Sequence, residues 1–407
     1  MYEKNVRQTT AFLIIILSII LRGSLPLYMA ELIIVFLLFV KLTVNLIKGK
    51  VYFDKKDSFV IMWVLAYITV ILLSGFYLRN DSEWLTYIVY FLIGLIIYYV
   101  IIQYIKSKED LIRFIKLYII VVLVEAINTI FFHLIYLIFG YRSMFVHVGA
   151  TVRSIGFYGN PNYYSVSLLL ALGLLMGVFS FGYLSSKSNR KYVYFTVAYL
   201  ILMIGIYFTY SRGALIAAVF TSLLFFIYNF RQILNLRIIA ISFILVLLVL
   251  VWYQNSDKIV LTTILEQTIQ RIENALFGTG AGRYLIWSNG WELYTSDIKF
   301  LLFGVGGNQF IFYEEYGIPN HVHNGYLRFL YESGAVGFSL FIVLLIKLLK
   351  STFNFSNMRP SSLLFYSLII ISVMSLSNDM FIIKEFWLLV GLIAVWKKFS
   401  EQKLAAK

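Results

Sequence analysis

The sequence predicts an all-α integral membrane protein, a polytopic bundle of about twelve transmembrane helices with one large extracytoplasmic loop. Three observations predict this fold class. The 407 residues are 61% hydrophobic and only 13% charged, and their mean hydropathy is +0.84. Soluble domains carry roughly 25% charged residues, so lipid must be the solvent for most of this surface. The apolar residues also occur in runs of about 20, the length that a helix needs to cross the hydrocarbon core.

Twelve apolar runs are predicted to span the membrane, and together they make residues 1–407 a single integral membrane domain. The predicted helices cover residues 10–28, 31–48, 58–77, 84–105, 111–139, 161–183, 191–210, 212–229, 236–253, 325–349, 361–378 and 380–397. Residues 254–324 form the predicted extracytoplasmic loop. Within this loop, the stretch Asp257–Phe277 has apolar residues at helical spacing, which predicts an amphipathic helix.

The distribution of positive charge predicts the orientation. With both termini in the cytoplasm, the inner segments hold 23 of the 34 Lys and Arg residues. Cytoplasmic loops carry such an excess, and the cations lie in short clusters between apolar runs. The net charge of +14 is therefore explained by membrane topology, and we exclude nucleic acid as a partner. The absence of cysteine excludes thiol catalysis and cysteine-based metal sites.

The two sides of the membrane are predicted to differ in the kind of cation they carry. Inner positions hold 17 Lys and 6 Arg, whereas outer positions hold 3 Lys and 8 Arg. Either cation satisfies topology, but the planar guanidinium of Arg binds phosphate through two hydrogen bonds. The outer arginines therefore predict an anionic ligand outside, although any single one could instead reach the lipid headgroups. They are Arg22, Arg79, Arg142, Arg153, Arg212, Arg271, Arg283 and Arg328.

Two short outer segments precede predicted helices and are candidates for anion binding. In the first, Arg153 is followed by Asn160, Pro161 and Asn162, where an Asn caps the helix and the helix N-terminus attracts an anion. The alternative is an ordinary cap. In the second, Arg212 lies between two apolar runs, where an unpaired charge costs at least about 2.5 kcal/mol. We predict a functional role for Arg212 over a structural ion pair.

A third outer segment contains two alternating histidines, His321 and His323, followed by Asn324 as a predicted helix cap. The spacing of the histidines suits zinc, but the sequence offers no third ligand, which disfavours a metal site. A histidine near neutral pKa is a suitable general base or hydrogen-bond partner. The alternative interpretation is a polar start of a helix.

These segments resemble the O-antigen ligase and polymerase superfamily of bacterial membrane glycosyltransferases. The superfamily carries His followed by Asn, Ser or Gln, nine residues, and Gly-x-x-Gly; His323, Asn324, Gly334 and Gly337 fit this pattern without a gap. Upstream, the chain has the Gly282-Arg283 pair with Trp287, then the Gly304-Val305-Gly306 turn, in the order typical of the family. The resemblance covers roughly residues 150–345.

The resemblance implies a GT-C-like fold in the bacterial cytoplasmic membrane and an inverting, metal-independent glycosyl transfer on its outer face, with no cofactor. Donor and acceptor would be glycans on undecaprenyl pyrophosphate, and a chain-length regulator is a further candidate partner beside membrane lipid. The implied catalytic residues are His323, Arg212 and Arg283. The implied substrate-binding residues are Arg153, His321, Asn324, Asn162 and Tyr326, with Tyr326 and Trp287 as candidates to stack on sugar rings.

Three activities are compatible with these motifs. We favour a polymerase of capsular, exopolysaccharide or O-antigen chains, because many outer arginines suit two pyrophosphate-bearing substrates. A ligase, which transfers the finished glycan to lipid A core, is the first alternative. The second is a transporter of lipid-linked oligosaccharides. A transporter should carry polar residues at mid-membrane depth in several helices. Here the predicted inner helices are almost purely apolar, except for the fifth, which contains Glu125, Asn128 and His133.

Overall fold

The computed structural model describes residues 2–21, separate positions between 32 and 47, and residues 58–149, 152–183, 190–233, 283–318 and 320–405. These parts are predominantly helical. The helices are α1 (Tyr2–Ile20), α2 (Ser58–Leu73), α3 (Asp81–Tyr104), α4 (Lys108–Phe139), α5 (Pro161–Ser180), α6 (Arg190–Phe208), α7 (Arg212–Ile233), α8 (Arg283–Thr295), α9 (Ile298–Phe303), α10 (Gly325–Thr352), α11 (Phe365–Met374) and α12 (Lys384–Ala405). Two small antiparallel hairpins pair β1 (Val146–Val148) with β2 (Val152–Ser154), and β3 (Phe353–Asn354) with β4 (Arg359–Pro360).

Seven of the described helices are long and apolar enough to cross a membrane: Ser58–Tyr77, Asp81–Tyr104, Lys108–Phe139, Pro161–Ser180, Arg190–Phe208, Arg212–Phe230 and Gly325–Thr352. Shorter apolar helices cover Gln8–Ile20 and Phe365–Met374. The integral membrane character is thus supported, whereas the predicted number of about twelve spans is not confirmed. The predicted helix 236–253 and the amphipathic stretch Asp257–Phe277 lie outside the described residues.

Helix α5 is the centre of the bundle, and nearly all of its residues are buried. It packs against α4, α6, α7, α11 and α12. Two glycines one turn apart allow the close approach of α11 and its preceding turn. A Cβ added at Gly177 would lie 1.7 Å from the carbonyl oxygen of Leu363, and one at Gly173 would lie 2.6 Å from the Cα of Ser367. Small residues at this spacing let membrane helices pack backbone against backbone.

The described part of the predicted loop 254–324 is folded and helical. Residues 283–318 and 320–324, which we call the cap, contain α8, α9 and two 3₁₀ turns. The cap has its own apolar core, including Leu293, Phe310 and Tyr313, and it packs onto the first turns of α10 through Tyr331. The predicted large extracytoplasmic loop is therefore not confirmed as such, and its described part is a folded helical unit whose aromatic residues bury each other.

The chain alternates between two ends of the bundle. Helices α3, α5, α7, α10 and α12 begin at the end that carries the cap, which we call the cleft end. The hairpin β3–β4 lies at the opposite end, between the last residue of α10 and the start of α11. Five helix N-termini, and the partial positive charge of each, therefore gather at the cleft end.

Candidate functional site

A cleft of about 220 Å³ opens at the cleft end between the cap and the helix starts. The residues that line it are Glu83, Tyr90, Asn160, Asn162, Tyr163, Asn308, His321, His323, Arg328, Asn378, Asp379, Met380, Ile382 and Ile383. Three predicted site residues, His321, His323 and Asn162, are among them. The cleft thus combines segments that are far apart in the sequence.

Asparagine caps begin the helices around the cleft. The side-chain oxygen of Asn160 accepts hydrogen bonds from the backbone N–H groups of Asn162 and Tyr163 at the start of α5. Asn324 caps α10 in the same way, and Asn80 caps α3. These caps leave each helix N-terminus ordered and pointing toward the cleft, an arrangement that favours bound anions.

Arg328 is held at the floor of the cleft by three acceptors. Its Nε donates to Oε2 of Glu332 at 2.9 Å, and its Nη1 donates to Oδ2 of Asp379 at 3.2 Å. Its Nη2 donates to Oδ1 of Asn308, whose own amide donates to Oε2 of Glu83 at 3.1 Å. Arg328 is only 5% exposed, and its charge is balanced by the buried carboxylate of Glu332 and the partly buried carboxylate of Asp379. We infer that this arginine fixes the geometry of the site.

His323 lies beside this network in a strained conformation. Its φ is +50°, which few non-glycine residues adopt. Such strain persists where the surrounding structure enforces it and is common at functional sites. Among the described residues, two of the three other non-glycine residues with positive φ, Tyr210 and Asn308, also belong to the segments around the cleft.

Both histidines have a lowered pKa. Burial is the main cause at His323; the charges of Arg283 and Arg328 lower the pKa further, and Asp379 raises it. At His321, burial is again the main cause, followed by the charge of Arg328. A histidine whose pKa is below its ordinary value of about 6.5 is neutral at pH 7 and can accept a proton. Within the described residues, no third His, Cys, Asp or Glu joins these two as a metal-holding group.

Arg283 is electrostatically coupled to Arg212, and neither of these predicted catalytic residues is among the residues that line the cleft. Burial lowers the pKa of Arg283, and the positive charge of Arg212 lowers it further, while Asp379 raises it. Gly213 lets the start of α7 approach the turn after α11, because an added Cβ there would lie 1.7 Å from Oγ of Ser377. Among the residues that the structure describes, neither arginine forms an ion pair. Two adjacent guanidinium groups of this kind can bind a diphosphate.

The wall of the cleft opposite the cap is built by residues 153–162. Arg153 donates from Nε to the carbonyl oxygen of Thr209 at 2.9 Å and from Nη2 to Oδ1 of Asn162 at 3.4 Å. Arg153 therefore connects this wall to the turn that precedes Arg212. It does not itself line the cleft.

Buried polar residues of the bundle form hydrogen bonds with the same wall. Glu125 accepts a hydrogen bond from the backbone N–H of Phe157 at 3.0 Å, and Glu385 accepts one from the hydroxyl of Tyr158 at 2.8 Å. The imidazole of His133 lies 3.0 Å from Oγ of Ser154. The polar residues of the fifth predicted helix thus contact the wall of the cleft.

Three further predicted binding residues, besides Arg153, are placed outside the cleft lining. Asn324 is buried and serves as the cap of α10. Tyr326 packs edge to face against Phe341 and Phe381, and its hydroxyl donates to the carbonyl oxygen of Ser372. Trp287 donates from its indole to the carbonyl oxygen of Val322 at 2.9 Å. These contacts position the loop that carries the histidines.

Four residues that line the cleft were not predicted from the sequence: Glu83, Asn308, Asn378 and Asp379. Asp379 had a usable signal, because it is the one acidic residue in the short connection between the last two predicted helices. Glu83, in the first turn of α3, looks like an ordinary helix-start carboxylate. Asn308 has no local signal, since its role depends on Arg328, 20 residues further along the chain.

The glycines of the predicted motifs permit close packing of the cap on α10. A Cβ added at Gly304 would lie 2.3 Å from the backbone carbon of Glu332, and one at Gly334 would lie 2.3 Å from that of Leu302. Both glycines have positive φ. The backbone N–H of Gly306 donates to the carbonyl oxygen of Glu332 at 3.0 Å. These contacts bring Asn308 to Arg328.

Comparison with known proteins identifies a matching family. Residues 197–342 match the family model described as O-antigen ligase. The resemblance to the O-antigen ligase and polymerase superfamily is confirmed over that part of the chain. The match runs from α6 into α10 and includes Arg212, Arg283, His321 and His323. It supports a membrane glycosyltransferase of the O-antigen ligase or polymerase type. No curated protein matches the chain.

Proposed function

We propose that this protein polymerises oligosaccharide repeat units that are linked to undecaprenyl pyrophosphate, on the outer face of the bacterial cytoplasmic membrane. The observation that supports the proposal is that Arg283 is electrostatically coupled both to Arg212 and to His323. Among the described residues neither arginine forms an ion pair, so the two guanidinium groups suit a ligand with two adjacent negative charges.

In the proposed reaction, a hydroxyl of the acceptor sugar attacks the anomeric carbon of the donor sugar. The hydroxyl proton passes to the neutral imidazole of His323, whose lowered pKa keeps it unprotonated at pH 7. The bond between the anomeric carbon and the pyrophosphate oxygen breaks, and the pyrophosphate keeps the electron pair. Arg212 and Arg283 stabilise the charge that develops on this leaving group.

Asp379 and Arg328 support His323 in this proposal. Asp379 raises the pKa of His323 against the larger effect of burial and therefore stabilises the imidazolium that forms. Its Oδ2 is bound by Arg328, whereas its Oδ1 is buried and accepts no hydrogen bond from the described residues. The unused oxygen suits an acceptor hydroxyl or the imidazolium, and it makes Asp379 a candidate to orient either one.

The description of the matching family model favours a second candidate, O-antigen ligation. In that activity the same donor would be transferred to lipid A core. The chemistry at the anomeric carbon and at the leaving group is the same in both activities. Only the acceptor differs, so the acceptor decides between them.

The test uses the purified full-length protein in lipid nanodiscs with undecaprenyl-pyrophosphate repeat units. A ladder of products without lipid A core supports polymerisation. Product that forms only with lipid A core supports ligation, and movement of the substrate across a vesicle membrane without new bonds would overturn both. His323→Ala should reduce product formation by about 10²- to 10⁴-fold, the usual contribution of a general base. His147→Ala, at an exposed histidine of β1, is the matched control.

A further inference from the structure

A second groove, of about 440 Å³, lies at the opposite end of the bundle, between α2, α3, α10 and α12. Its lining is mainly apolar, with residues such as Val60, Leu344 and Ile393, and three lysines stand around it: Lys347, Lys397 and Lys398. Among the described residues of the lining, Glu401 is the one carboxylate. The groove therefore combines an apolar surface with an excess of positive charge.

The lysines lie close together within helices. Lys347 and Lys397 both line this one groove, so their positive charges lie around the same space. Lys347 lies over the ring of Phe59 and more than one turn before the end of α10. Lys397 contacts Glu401 at 3.8 Å, a long ion pair in which both side chains are partly exposed. Topology can account for positive charge near helix ends, but it does not determine that three lysines surround one apolar groove.

We propose that this groove binds the headgroup and upper acyl chain of an anionic phospholipid. A phosphate between Lys347 and Lys397 would balance their positive charges, and the apolar lining would contact the chain. The groove lies at the start of α2, where the helix dipole is positive. Flexible lysines at the membrane boundary are typical of contacts with anionic lipid headgroups.

The experiment measures lipid-dependent thermal stability of the full-length protein, purified in a neutral detergent. Phosphatidylglycerol, phosphatidylcholine and inorganic phosphate are added separately. We expect phosphatidylglycerol to raise the Tm in a saturable way, because a ligand that binds only the folded state stabilises it. Phosphatidylcholine and inorganic phosphate should leave the Tm unchanged. Equal shifts with both phospholipids, or the full shift with inorganic phosphate alone, would overturn the assignment.

Variants locate the site. Lys347→Gln combined with Lys397→Gln should weaken the apparent affinity for phosphatidylglycerol by about tenfold or more, since each lysine near an anionic lipid contributes about 1 kcal/mol. Lys191→Gln combined with Lys350→Gln removes the same charge from positions that do not line the groove and should retain the wild-type affinity. If both double variants weaken binding equally, the effect is one of net charge and the groove is not the site. Native mass spectrometry of retained lipid provides a second readout in case the first variant folds poorly.

Discussion

The two ends of the bundle use positive charge in different ways. At the cleft end, Arg328 is held by three acceptors and is almost fully buried. At the opposite end, Lys347 and Lys397 lie around an apolar groove, and Lys397 contacts Glu401 at 3.8 Å. Arginine is found where several hydrogen bonds fix the geometry of a site, and lysine, with its flexible ammonium group, is found where the proposed ligand is a mobile lipid.

The cleft end also separates a structural arginine from two candidate functional ones. Arg328 is neutralised by Glu332 and Asp379, whereas Arg212 and Arg283 have no ion pair within the described residues. A charge that is already paired is poorly suited to bind a second anion. The three arginines should therefore respond differently to substitution.

The largest expected effect is at Arg328, and it concerns stability. Arg328→Met leaves Glu332 and Asp379 without their cation, which costs about 3–5 kcal/mol when one partner of a buried pair is removed. We expect a strongly lowered Tm and little folded protein in detergent. Arg212→Met removes an exposed charge and should leave the Tm near that of the wild type. Equal Tm values for the two variants would contradict the division between structural and functional arginines.

The next effect is on turnover and tests the geometry of the guanidinium. Arg212→Lys retains the charge and loses the planar pair of donors, so we expect a loss of about 10²-fold in kcat. The assay is polymer formation from lipid-linked repeat units. Arg142→Lys, at an exposed position on the same predicted side, is the control. Wild-type kcat in Arg212→Lys would mean that charge alone suffices there.

The pH dependence tests the role of His323. Because the pKa of His323 is lowered, its neutral form dominates at pH 7, and kcat/KM should be flat there. Below that pKa, kcat/KM should fall about tenfold for each pH unit. Arg283→Gln removes a charge that lowers this pKa, so the loss of kcat/KM on acidification should occur at higher pH. Asp379→Asn removes a charge that raises the pKa, so the loss should occur at lower pH. Shifts in the same direction in both variants would contradict the assignment of this loss of kcat/KM to protonation of His323.

The smallest effect tests the approach of α7 to the turn before α12. Gly213→Ala places a Cβ 1.7 Å from Oγ of Ser377, so Arg212 should be displaced without loss of its charge. We expect roughly tenfold lower kcat/KM, since small misplacements of a catalytic group reduce rates strongly. Gly205→Ala, whose Cβ would meet Leu168 at an ordinary 3.4 Å, is the control. Equal activity of both variants would show that this contact does not position Arg212.

Several features of the site were predictable because they depend on local patterns. The turn at residues 209–211 lies between α6 and α7 as predicted, since the apolar runs on either side are interrupted only there. Asn160 and Asn324 are helix caps, as their position before apolar runs predicted. The roles of Tyr326 and Trp287 were not predictable in this way. Their partners, Ser372 and Val322, are brought to them by the packing of separate segments.

The sequence by itself predicted apolar membrane-spanning helices, the resemblance to the O-antigen ligase and polymerase superfamily, and the candidate residues His323, Arg212 and Arg283. Each follows from composition or from short spacings, which lipid and helix geometry constrain directly. Only the tertiary structure decided which arginine is neutralised and which carboxylate accompanies the histidines. Asp379 reaches Arg328 across 51 residues, and no local pattern specifies such a partner, because packing of the cap against α10 and the turn before α12 creates the contact.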